Sequence, residues 1–453
     1  MAKTFIFAAT GDSIIARRIH GLHNETLTPL VEHIKRADAA FTNVELVTPG
    51  PNTPAAAEYG GIHLGMPPYV LDELKLTGFN MFNLAHNHAL DFGRSGLHDT
   101  MKEMRKRDML FAGAGKTLGE ARMPAYLETR GGRVALIGVA STYTAGAPAG
   151  AARTDFVGRP GINPLRHTLT HLVTREQWET IKHIDEATGT AAVAKRERAF
   201  GLSRPGKDRS DSYTFLGHSF RVSPKAGTTS SYNENDGEAI AASIHEARRQ
   251  ADYVVVSLHG HEGPAGQINN EQPADFIIEF ARACVRAGAD AFVGHGPHML
   301  RGIEIYQGKP VFYSLGNVMF MCEQITRLPS ELYDLYDLPC SATPADLFDF
   351  ESQDPQGNPK AFHADGRFWE TVLPICAFHQ GRLNRIDLYP VSLQLGERRT
   401  RRGVPQLAEG EHGARIIDRL AHLSQVFGTN IQISKARQQP VGQVEIPGSS
   451  MPR

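Results

Sequence analysis

The sequence predicts an α/β protein, and three observations lead to that prediction. Apolar runs rich in β-branched residues recur along the chain, as buried strands require, and segments with helical spacing of apolar residues lie between them. Polar residues suited to chemistry follow several of these runs directly. Since ligands of α/β sheets bind just beyond the carboxyl ends of the strands, a site is expected at that edge.

The first third of the chain alternates between strand and helix candidates. The strand candidates are residues 3–10, 41–46, 81–85 and 133–140, and the helix candidates are residues 25–37 and 94–107. The first strand candidate ends at Gly11-Asp12, and the third leads into His86-Asn87-His88.

The pattern resumes after residue 235. Helices are predicted at 236–251, 273–287 and 413–426, and strands at 253–258, 290–294, 370–378 and 383–393. Residues 302–317 are predicted to form two strands joined by a turn at Gln307-Gly308, and Gln380-Gly381 predicts a second such turn. The last 25 or so residues are expected to be loosely ordered.

The domain organisation follows from the interruption of this pattern. Residues 143–235, rich in Gly, Thr, Arg and Ser, are predicted to be an insertion that binds substrate or covers the site as a lid. Residues 1–142 and 236–320 are then the core. Residues 321–453 are interpreted as a C-terminal extension that completes or covers it.

Composition argues against several partner classes. The 453 residues carry 48 basic and 49 acidic side chains, so no net field attracts nucleic acid or an anionic membrane. The N-terminal apolar run is too short for a signal peptide and no long apolar segment follows, so we expect a cytoplasmic protein. The four cysteines form no CxxC pair and are expected to be reduced.

Side chains that bind metals cluster at the ends of the predicted strands. They are Asp12, Asn43, Glu45, Asn87, His259, His261, His295 and His298. Each could alone be a turn residue, a surface ion-pair member or a buried core histidine, but their joint occurrence at strand ends is harder to explain that way. Oxygen and imidazole donors suit a divalent cation such as Mn, Ca, Mg, Zn or Fe. Neutral imidazole also transfers protons near pH 7.

Five segments carry a family resemblance. They are ATGDSI (9–14), TNVEL (42–46), NLAHNHALDFG (83–93), VVSLHGHEG (255–263) and DAFVGHGPHMLRGIEIYQGKPVFYSLGN (290–317). With them the chain resembles the CapA family, named for poly-γ-glutamate capsule proteins and related to the calcineurin-like metallophosphatases. The resemblance implies a four-layer α/β/β/α sandwich.

The resemblance also implies roles for individual residues. The implied metal ligands are Asp12, Glu45, Asn87, His259 and His295, and the implied catalytic histidines are His86, His88, His261 and His298. The phosphatase pattern has Asp-x-His where this chain has Asp12-Ser13-Ile14, and a bridging Asp where it has Asn43. These departures weaken the case for a paired-metal phosphatase centre.

The function expected from the resemblance is that of the soluble branch of the family, which includes a lasso-peptide epimerase. In that reading one metal polarises a peptide carboxylate or carbonyl, two histidines exchange protons at the α-carbon, and the partner is a precursor peptide. One alternative is a metallohydrolase of phosphoesters or γ-glutamyl amides. Another is a non-catalytic accessory protein of polyglutamate assembly.

Overall fold

The computed structural model describes residues 4–21, 24–202, 212–434 and 439–447. Its strands are β1 (Thr4–Ile14), β2 (Ala39–Asn43), β3 (Met81–Asn83), β4 (Phe111–Ala112), β5 (Ala114–Gly115), β6 (Ala125–Thr129), β7 (Gly132–Ala140), β8 (Gly161–Ile162), β9 (His167–Val173), β10 (Ser212–Phe215), β11 (His218–Val222), β12 (Gly227–Tyr232), β13 (Tyr253–His259), β14 (Ala291–His295), β15 (Ile303–Tyr306), β16 (Lys309–Phe312), β17 (Asn317–Phe320), β18 (Glu370–His379), β19 (Arg382–Ser392), β20 (Gln406–Leu407), β21 (Ile431–Ser434) and β22 (Val441–Val444).

The helices alternate with these strands. They are α1 (Asn24–Lys35), α2 (Val70–Thr77), α3 (Gly93–Lys106), α4 (Leu118–Arg122), α5 (Arg175–Ala187), α6 (Thr190–Ala199), α7 (Glu234–Gln250), α8 (Asp275–Arg286), α9 (Ser330–Leu335), α10 (Pro344–Ser352) and α11 (Gly410–Gln425). Within the described ranges, none of these helices has the length and apolar character needed to cross a bilayer.

Two sheets dominate the described part of the chain. The large sheet has the order β21-β22-β19-β18-β1-β2-β3-β4, with β17 also paired to β1 and β20 to β19. The second sheet has the order β15-β16-β14-β13-β7-β6. In both, the central strands run parallel, so their carboxyl ends share one edge.

Three apolar cores hold these elements together. One joins the large sheet to α1, α2 and α3, and another joins the second sheet to α7 and α8. The third contains Phe7 and Phe41 of the large sheet together with Val255 and Val293 of the second, so the two sheets share it. The α/β class predicted from the sequence is confirmed, and the four-layer order that the family resemblance implies stays a prediction.

Most predicted elements are present, and the differences are informative. The helix expected over 236–251 is α7, and the turns at Gln307-Gly308 and Gln380-Gly381 join β15 to β16 and β18 to β19, with positive φ at each turn residue. The expectation of a loosely ordered C-terminus is wrong for the described residues, because β21 and β22 pair at the margin of the large sheet. Lys3, the first residue of the predicted first strand, lies outside the described residues.

The predicted insertion and C-terminal extension both contain regular structure. Strands β9 to β12 form a separate sheet in the order β10-β11-β9-β12; α5 packs against β11, and α6 packs against α5. Beyond residue 320, strands β18, β19, β20, β21 and β22 belong to the large sheet, and β18 lies directly beside β1. The domain boundaries themselves stay a prediction.

Gly11 is the residue that lets β1 approach the loop before β17. A Cβ placed on Gly11 would lie 1.8 Å from the carbonyl oxygen of Gly316, a backbone atom that cannot move aside. We expect Gly11→Ala to lower the free energy of unfolding by about 3 kcal/mol, since overpacking of a well-packed site costs about this much. The measurement is chemical denaturation. Gly227→Ala is the control, because a Cβ there meets nothing within 4 Å; equal stability of the two variants would contradict the prediction.

Candidate metal centre

The predicted site residues meet where the carboxyl ends of the two sheets face each other. Asp12 pairs in register with Asn43 of β2 on one side and with Asn317 of β17 on the other. In the second sheet, His259 at the end of β13 is in register with His295 at the end of β14. The register of β1 shifts on both sides of Asp12, and such irregularities re-aim a side chain near a site.

A first group of donor atoms forms around Asp12. Its Oδ1 lies 3.2 Å from His295 Nδ1 and 3.5 Å from His259 Nδ1, and the two ring nitrogens are 3.1 Å apart. Two ligands that each lie about 2.0–2.1 Å from one cation have nitrogens about 3 Å apart when the angle between them is near 90°. The three side chains are therefore spaced as ligands of a single ion would be.

A second group lies on the opposite side of the His259 ring. His259 Nε2 is 3.1 Å from His261 Nε2, 2.9 Å from Asn87 Oδ1 and 3.8 Å from Glu45 Oε1. The ligand atoms of Glu45, His259 and His261 all lie within 4.8 Å of one another, as do those of Asp12, Glu45 and His298. Donors thus converge on both sides of His259, and Asp12, Glu45 and His298 connect the two groups.

The surroundings of the Glu45 carboxylate indicate whether a cation fits between these donors. Glu45 is fully buried, and neither oxygen has a hydrogen-bond partner among the described residues. Burial, and then the neighbouring Asp12, raise the pKa of Glu45 well above its usual range. A buried carboxylate without partners costs several kcal/mol unless a charge compensates it. A divalent cation held by Glu45, Asp12 and the surrounding imidazoles would supply that charge.

The buried histidines are in the protonation state that metal ligands need. Burial lowers the pKa of His259 to about 4 despite the attraction of Asp12, and burial lowers the pKa of His261 well below its usual range. Burial would raise the pKa of Asp12, but contacts with His259 and His295 outweigh it and hold the pKa well below normal. Neutral imidazoles beside an ionised carboxylate form a donor set suited to a borderline divalent cation.

Three histidines are oriented by a bond to their Nδ1 atoms. His88 Nδ1 lies 2.7 Å from Asp91 Oδ2, His261 Nδ1 lies 2.7 Å from Asn269 Oδ1, and His298 Nδ1 lies 2.9 Å from Asn317 Oδ1. Because an oxygen acceptor favours the proton on Nδ1, each ring keeps its lone pair on Nε2. His298 also has a left-handed backbone, with φ of 59°, a conformation that costs energy and is typical of functional sites.

His86 stands apart from the other predicted catalytic histidines. Its ring centroid lies 6.1 Å from that of His259, and both ring nitrogens are buried without hydrogen-bond partners among the described residues. Burial lowers its pKa well below the usual range. His86 does not belong to the described lining of the cleft that reaches the donors, whereas His88, His261 and His298 do.

Sequence reasoning missed the residues that hold the donors in place. Asn43 Nδ2 donates to Asp12 Oδ1 over 2.8 Å, and Asn83 Nδ2 donates to Asn43 Oδ1 over 2.7 Å. Asn43 therefore links Asp12 to Asn83 through its side-chain amide. Arg301, fully buried, donates to the carbonyls of His261 and Asn270 over 3.0 and 2.8 Å. Asp91 and Asn317, which orient His88 and His298, were identifiable from the sequence as residues that brace loops.

The side-chain amide of Asn83 supports the site indirectly, through its hydrogen bond to Asn43, which in turn donates to Asp12. We expect Asn83→Ala to lower the free energy of unfolding by about 1–3 kcal/mol, because Asn43 Oδ1 then loses its buried donor. Metal affinity should fall about 10- to 100-fold, as is common when residues that orient ligands are removed. Calorimetric metal titration and denaturation measure the two effects. The exposed Asn358→Ala is the control, and unchanged metal affinity in Asn83→Ala would contradict the prediction.

A cleft of about 530 Å³ opens onto the donors, and we call it the site cleft. Its polar floor contains Asn87, His88, His261, Asn269 and His298. The walls are mostly apolar and aromatic, with Ile14, Ile62, Leu64, Tyr59, Tyr143, Tyr336, Phe320, Phe348 and Phe362, and they also include Thr142, Thr144, Cys322 and Glu351. Among the described residues that line it, none is Lys or Arg.

Known proteins match most of this chain. The family model described as bacterial capsule synthesis protein PGA_cap matches residues 6–321. An uncharacterized protein of Sinorhizobium fredii is 33% identical over 440 residues, covering 95% of this chain and 91% of that protein. The PGA biosynthesis protein CapA of Bacillus subtilis is 29% identical over 260 residues, covering 57% of this chain and 47% of that protein. A probable polyglutamine synthesis accessory protein of Mycobacterium tuberculosis is 25% identical over 326 residues, covering 70% and 67%.

Proposed function

Since the chain belongs to the bacterial capsule synthesis protein family PGA_cap, whose curated relatives include CapA proteins, we propose that it is a metal-dependent enzyme that epimerises an α-carbon of a peptide. The observation that supports the proposal is a pair of oriented histidines on either side of one carboxylate. His88 Nε2 lies 3.8 Å from Glu45 Oε1, and His298 Nδ1 lies 3.9 Å from Glu45 Oε2. Both line the site cleft.

The ligands that the family resemblance implies are Asp12, Glu45, Asn87, His259 and His295. Asp12 and His295 lie at Nδ1 of His259, and Asn87 and Glu45 lie at its Nε2, so one cation would be held by His259 together with one of these two groups. When bound, a divalent cation supplies Lewis-acid stabilisation of negative charge on a carboxylate or carbonyl oxygen. His261, whose Nε2 lies 3.1 Å from that of His259, is an additional ligand candidate. His88 and His298 then remain for proton transfer.

The proton steps follow from the orientation of the two rings. His88, with its proton on Nδ1 toward Asp91, takes the α-proton of the peptide on Nε2, and the electrons of that C–H bond stay on the substrate. His298, which takes a proton from solvent on Nε2 before the step, then delivers that proton to the opposite face of the α-carbon. Burial lowers the pKa of His298, so its charged form gives up the proton readily, and Asp12 Oδ2, 3.7 Å from Nδ1, partly offsets the effect of burial. Exchange with solvent restores both rings.

The walls of the site cleft support a peptide with an apolar side chain at the reacting end. Phe320, Phe348 and Phe362 would pack against such a side chain, since burial of apolar surface stabilises binding. A phosphoester or a chain of glutamates would instead call for arginines or lysines, which the described lining lacks. Two residues further weaken the case for a phosphatase with a paired-metal centre. Asn43 stands in place of the bridging Asp, and its Oδ1 accepts a hydrogen bond from Asn83. Ile14, at the position of the phosphatase histidine, is an apolar residue of the cleft wall.

The test uses the full chain, loaded with Mn, Ca, Mg, Zn or Fe(II), and pools of synthetic peptides with an apolar C-terminal residue. In deuterated water, mass spectrometry should find one deuterium incorporated at an α-carbon, and chiral analysis should find the D-residue. No uptake from any pool would overturn the proposal.

Hydrolysis of γ-glutamyl amides is the second candidate, because relatives are named for PGA biosynthesis and polyglutamine synthesis. The same His88 would take a proton from water instead of carbon. Release of glutamate from γ-glutamyl peptides, lost in Asp12→Ala, would favour this candidate. Release of phosphate from phosphoesters would favour the phosphatase reading, and metal binding without any turnover would favour an accessory role.

A further inference from the structure

The wall of the site cleft contains one acidic side chain, that of Glu351. It lies in the last turn of α10, three residues after Phe348, and the two side chains line the cleft together. Glu351 Oε1 accepts a hydrogen bond from Tyr336 Oη over 2.6 Å. Among the described residues, Oε2 has no hydrogen-bond partner, and no Lys, Arg or His nitrogen lies within 4 Å of either oxygen. One oxygen of this carboxylate is therefore available to a ligand.

The phenol of Tyr336 holds the carboxylate in one orientation. Burial, and then the hydrogen bond to Glu351, raise the pKa of Tyr336 above its usual value, so the phenol keeps its proton and donates. A side chain that is already fixed loses less conformational entropy on binding than one that rotates freely. Glu351 is thus half-buried, oriented and able to accept hydrogen bonds from a group that enters the cleft.

The charged groups that share a second cavity with Glu351 have other contacts. This cavity, of about 300 Å³, is also lined by Glu323 and Lys360. Glu323 pairs with Arg402 over 3.0 Å, and Lys360 Nζ lies over the ring of Phe350, 4.3 Å from its centroid. Since the described lining of the site cleft contains no Lys or Arg, an occupant that neutralises Glu351 must bring its own positive charge.

The aromatic wall adds a second attraction for such a charge. Phe320 and Phe362 line the cleft with Tyr336 and Phe348, and their ring centroids are 5.4 Å apart with the planes at 88°. The ring of Phe320 also stacks against His298, at 5.7 Å between centroids. Aromatic faces attract ammonium and guanidinium groups through the ring quadrupole, and they pack against the aliphatic stems of Lys and Arg. A carboxylate among aromatic rings is a combination that suits an organic cation.

From these observations we infer that the site cleft binds an ammonium or guanidinium group of the substrate and that Glu351 is the residue that selects for it. The cation donates charge-assisted hydrogen bonds to Glu351 Oε2. Because Glu351 lines the same cleft as His88 and His298, the cation belongs to a part of the peptide close to the reacting residue. The inference rests on the proposed function only in taking the occupant to be a peptide, and it adds a positive charge as a requirement for recognition.

The experiment measures binding rather than turnover, by calorimetric titration of the metal-loaded full chain. The probes are peptides of about five residues with an acetylated N-terminus, an apolar C-terminal residue and one Lys, placed at each preceding position in turn. Matched probes carry Gln or Glu in place of Lys, and the Gln probe is also made with a free N-terminal amine. At about 50 mM NaCl the best Lys probe should bind about tenfold more tightly than its Gln counterpart, and the Glu probe should bind more weakly than both. The same gain in the probe with the free amine alone would assign the cation to the peptide N-terminus.

Substitution of Glu351 tests whether this residue is the source of the preference. Gln at position 351 keeps an acceptor for Tyr336 and removes the charge, so the preference for Lys over Gln should fall to within about twofold. Affinity for the Gln probe should change by less than about twofold, which shows that the cleft is intact. Glu351→Lys should make the Glu probe the tightest of the three. The control is Glu331→Gln, the same change in charge at an exposed position of α9 outside the lining of both cavities.

Several results would overturn the inference. They are a preference for the cation that survives Glu351→Gln, an equal loss of preference in the control variant, equal affinity of the wild type for the three probes, and no binding of any probe. Deuterium uptake is not part of this readout, so a failure of the epimerase proposal is seen separately.

Discussion

Addition of a divalent cation to chelator-treated protein is expected to raise the melting temperature, and Glu45→Gln is expected to remove most of that rise. The reason is the buried carboxylate of Glu45, for which no hydrogen-bond partner exists among the described residues. A cation that binds only the folded state stabilises it by about 2.7 kcal/mol at a free concentration 100 times the Kd. Scanning calorimetry with each candidate metal measures the shift.

The metal-free proteins provide the decisive control. Gln at position 45 keeps the shape of Glu but removes its repulsion with Asp12, so metal-free Glu45→Gln should be at least as stable as the metal-free wild type. If Glu45 only supported the fold, Glu45→Gln would instead lower the stability of the metal-free protein. A wild-type protein that melts at the same temperature with chelator and with every metal would show that the donors hold no cation.

The core of the fold was predictable because its strands are continuous apolar runs. The sequence YVVVSL, for example, lies within β13, every residue of which is buried. Strands buried on both faces show this pattern, and the polar residue that ends each run marks the edge of the sheet. Asp12, His259 and His295 could be identified as neighbours for that reason.

The small sheet of β9 to β12 could not be predicted in the same way. Strand β9 (HTLTHLV) and strand β12 (GTTSSY) are mostly half-exposed and rich in Thr, Ser and His, so no apolar contrast identifies them. At the C-terminus, β21 and β22 are short strands that pair with each other, and β22 also pairs with β19, where Asp387 lies opposite Gln443. The pairing of β22 with such a distant segment cannot be predicted from local sequence.

The donors were predictable from residue type, but their orientation was not. Asn43 was recognised as a departure from the phosphatase pattern, yet its link between Asp12 and Asn83 exists only after β1, β2 and β3 have paired. The same holds for Arg301, which reaches back to the backbone of His261 across 40 positions of sequence. Hydrogen bonds between distant segments therefore account for most of what sequence reasoning missed.

Replacement of His88 by Ala is expected to reduce the rate of α-deuterium uptake about 10²- to 10⁴-fold, the usual contribution of a positioned general base. Asp91→Asn should reduce the rate by a comparable factor, because an amide in place of Asp91 Oδ2 would donate to His88 Nδ1 and move the ring proton to Nε2. The base would then have no lone pair toward the substrate. Uptake kinetics on the same peptide measure both variants.

The variants also distinguish a role of His88 in proton transfer from a role as a metal ligand, because the two roles predict different effects on metal binding. If His88 were chiefly a ligand, His88→Ala would lose the metal-induced rise in melting temperature together with activity, whereas a proton carrier leaves that rise in place. Asp91 also accepts from the backbone N–H groups of Gly60 and Leu64, over 2.9 and 2.8 Å, so Asp91→Asn is compared at a temperature well below its own melting point. The exposed His98→Ala on α3 is the control for loss of an imidazole. Full uptake in His88→Ala would assign the proton transfer to another residue, and His261 is the next oriented imidazole in the site cleft.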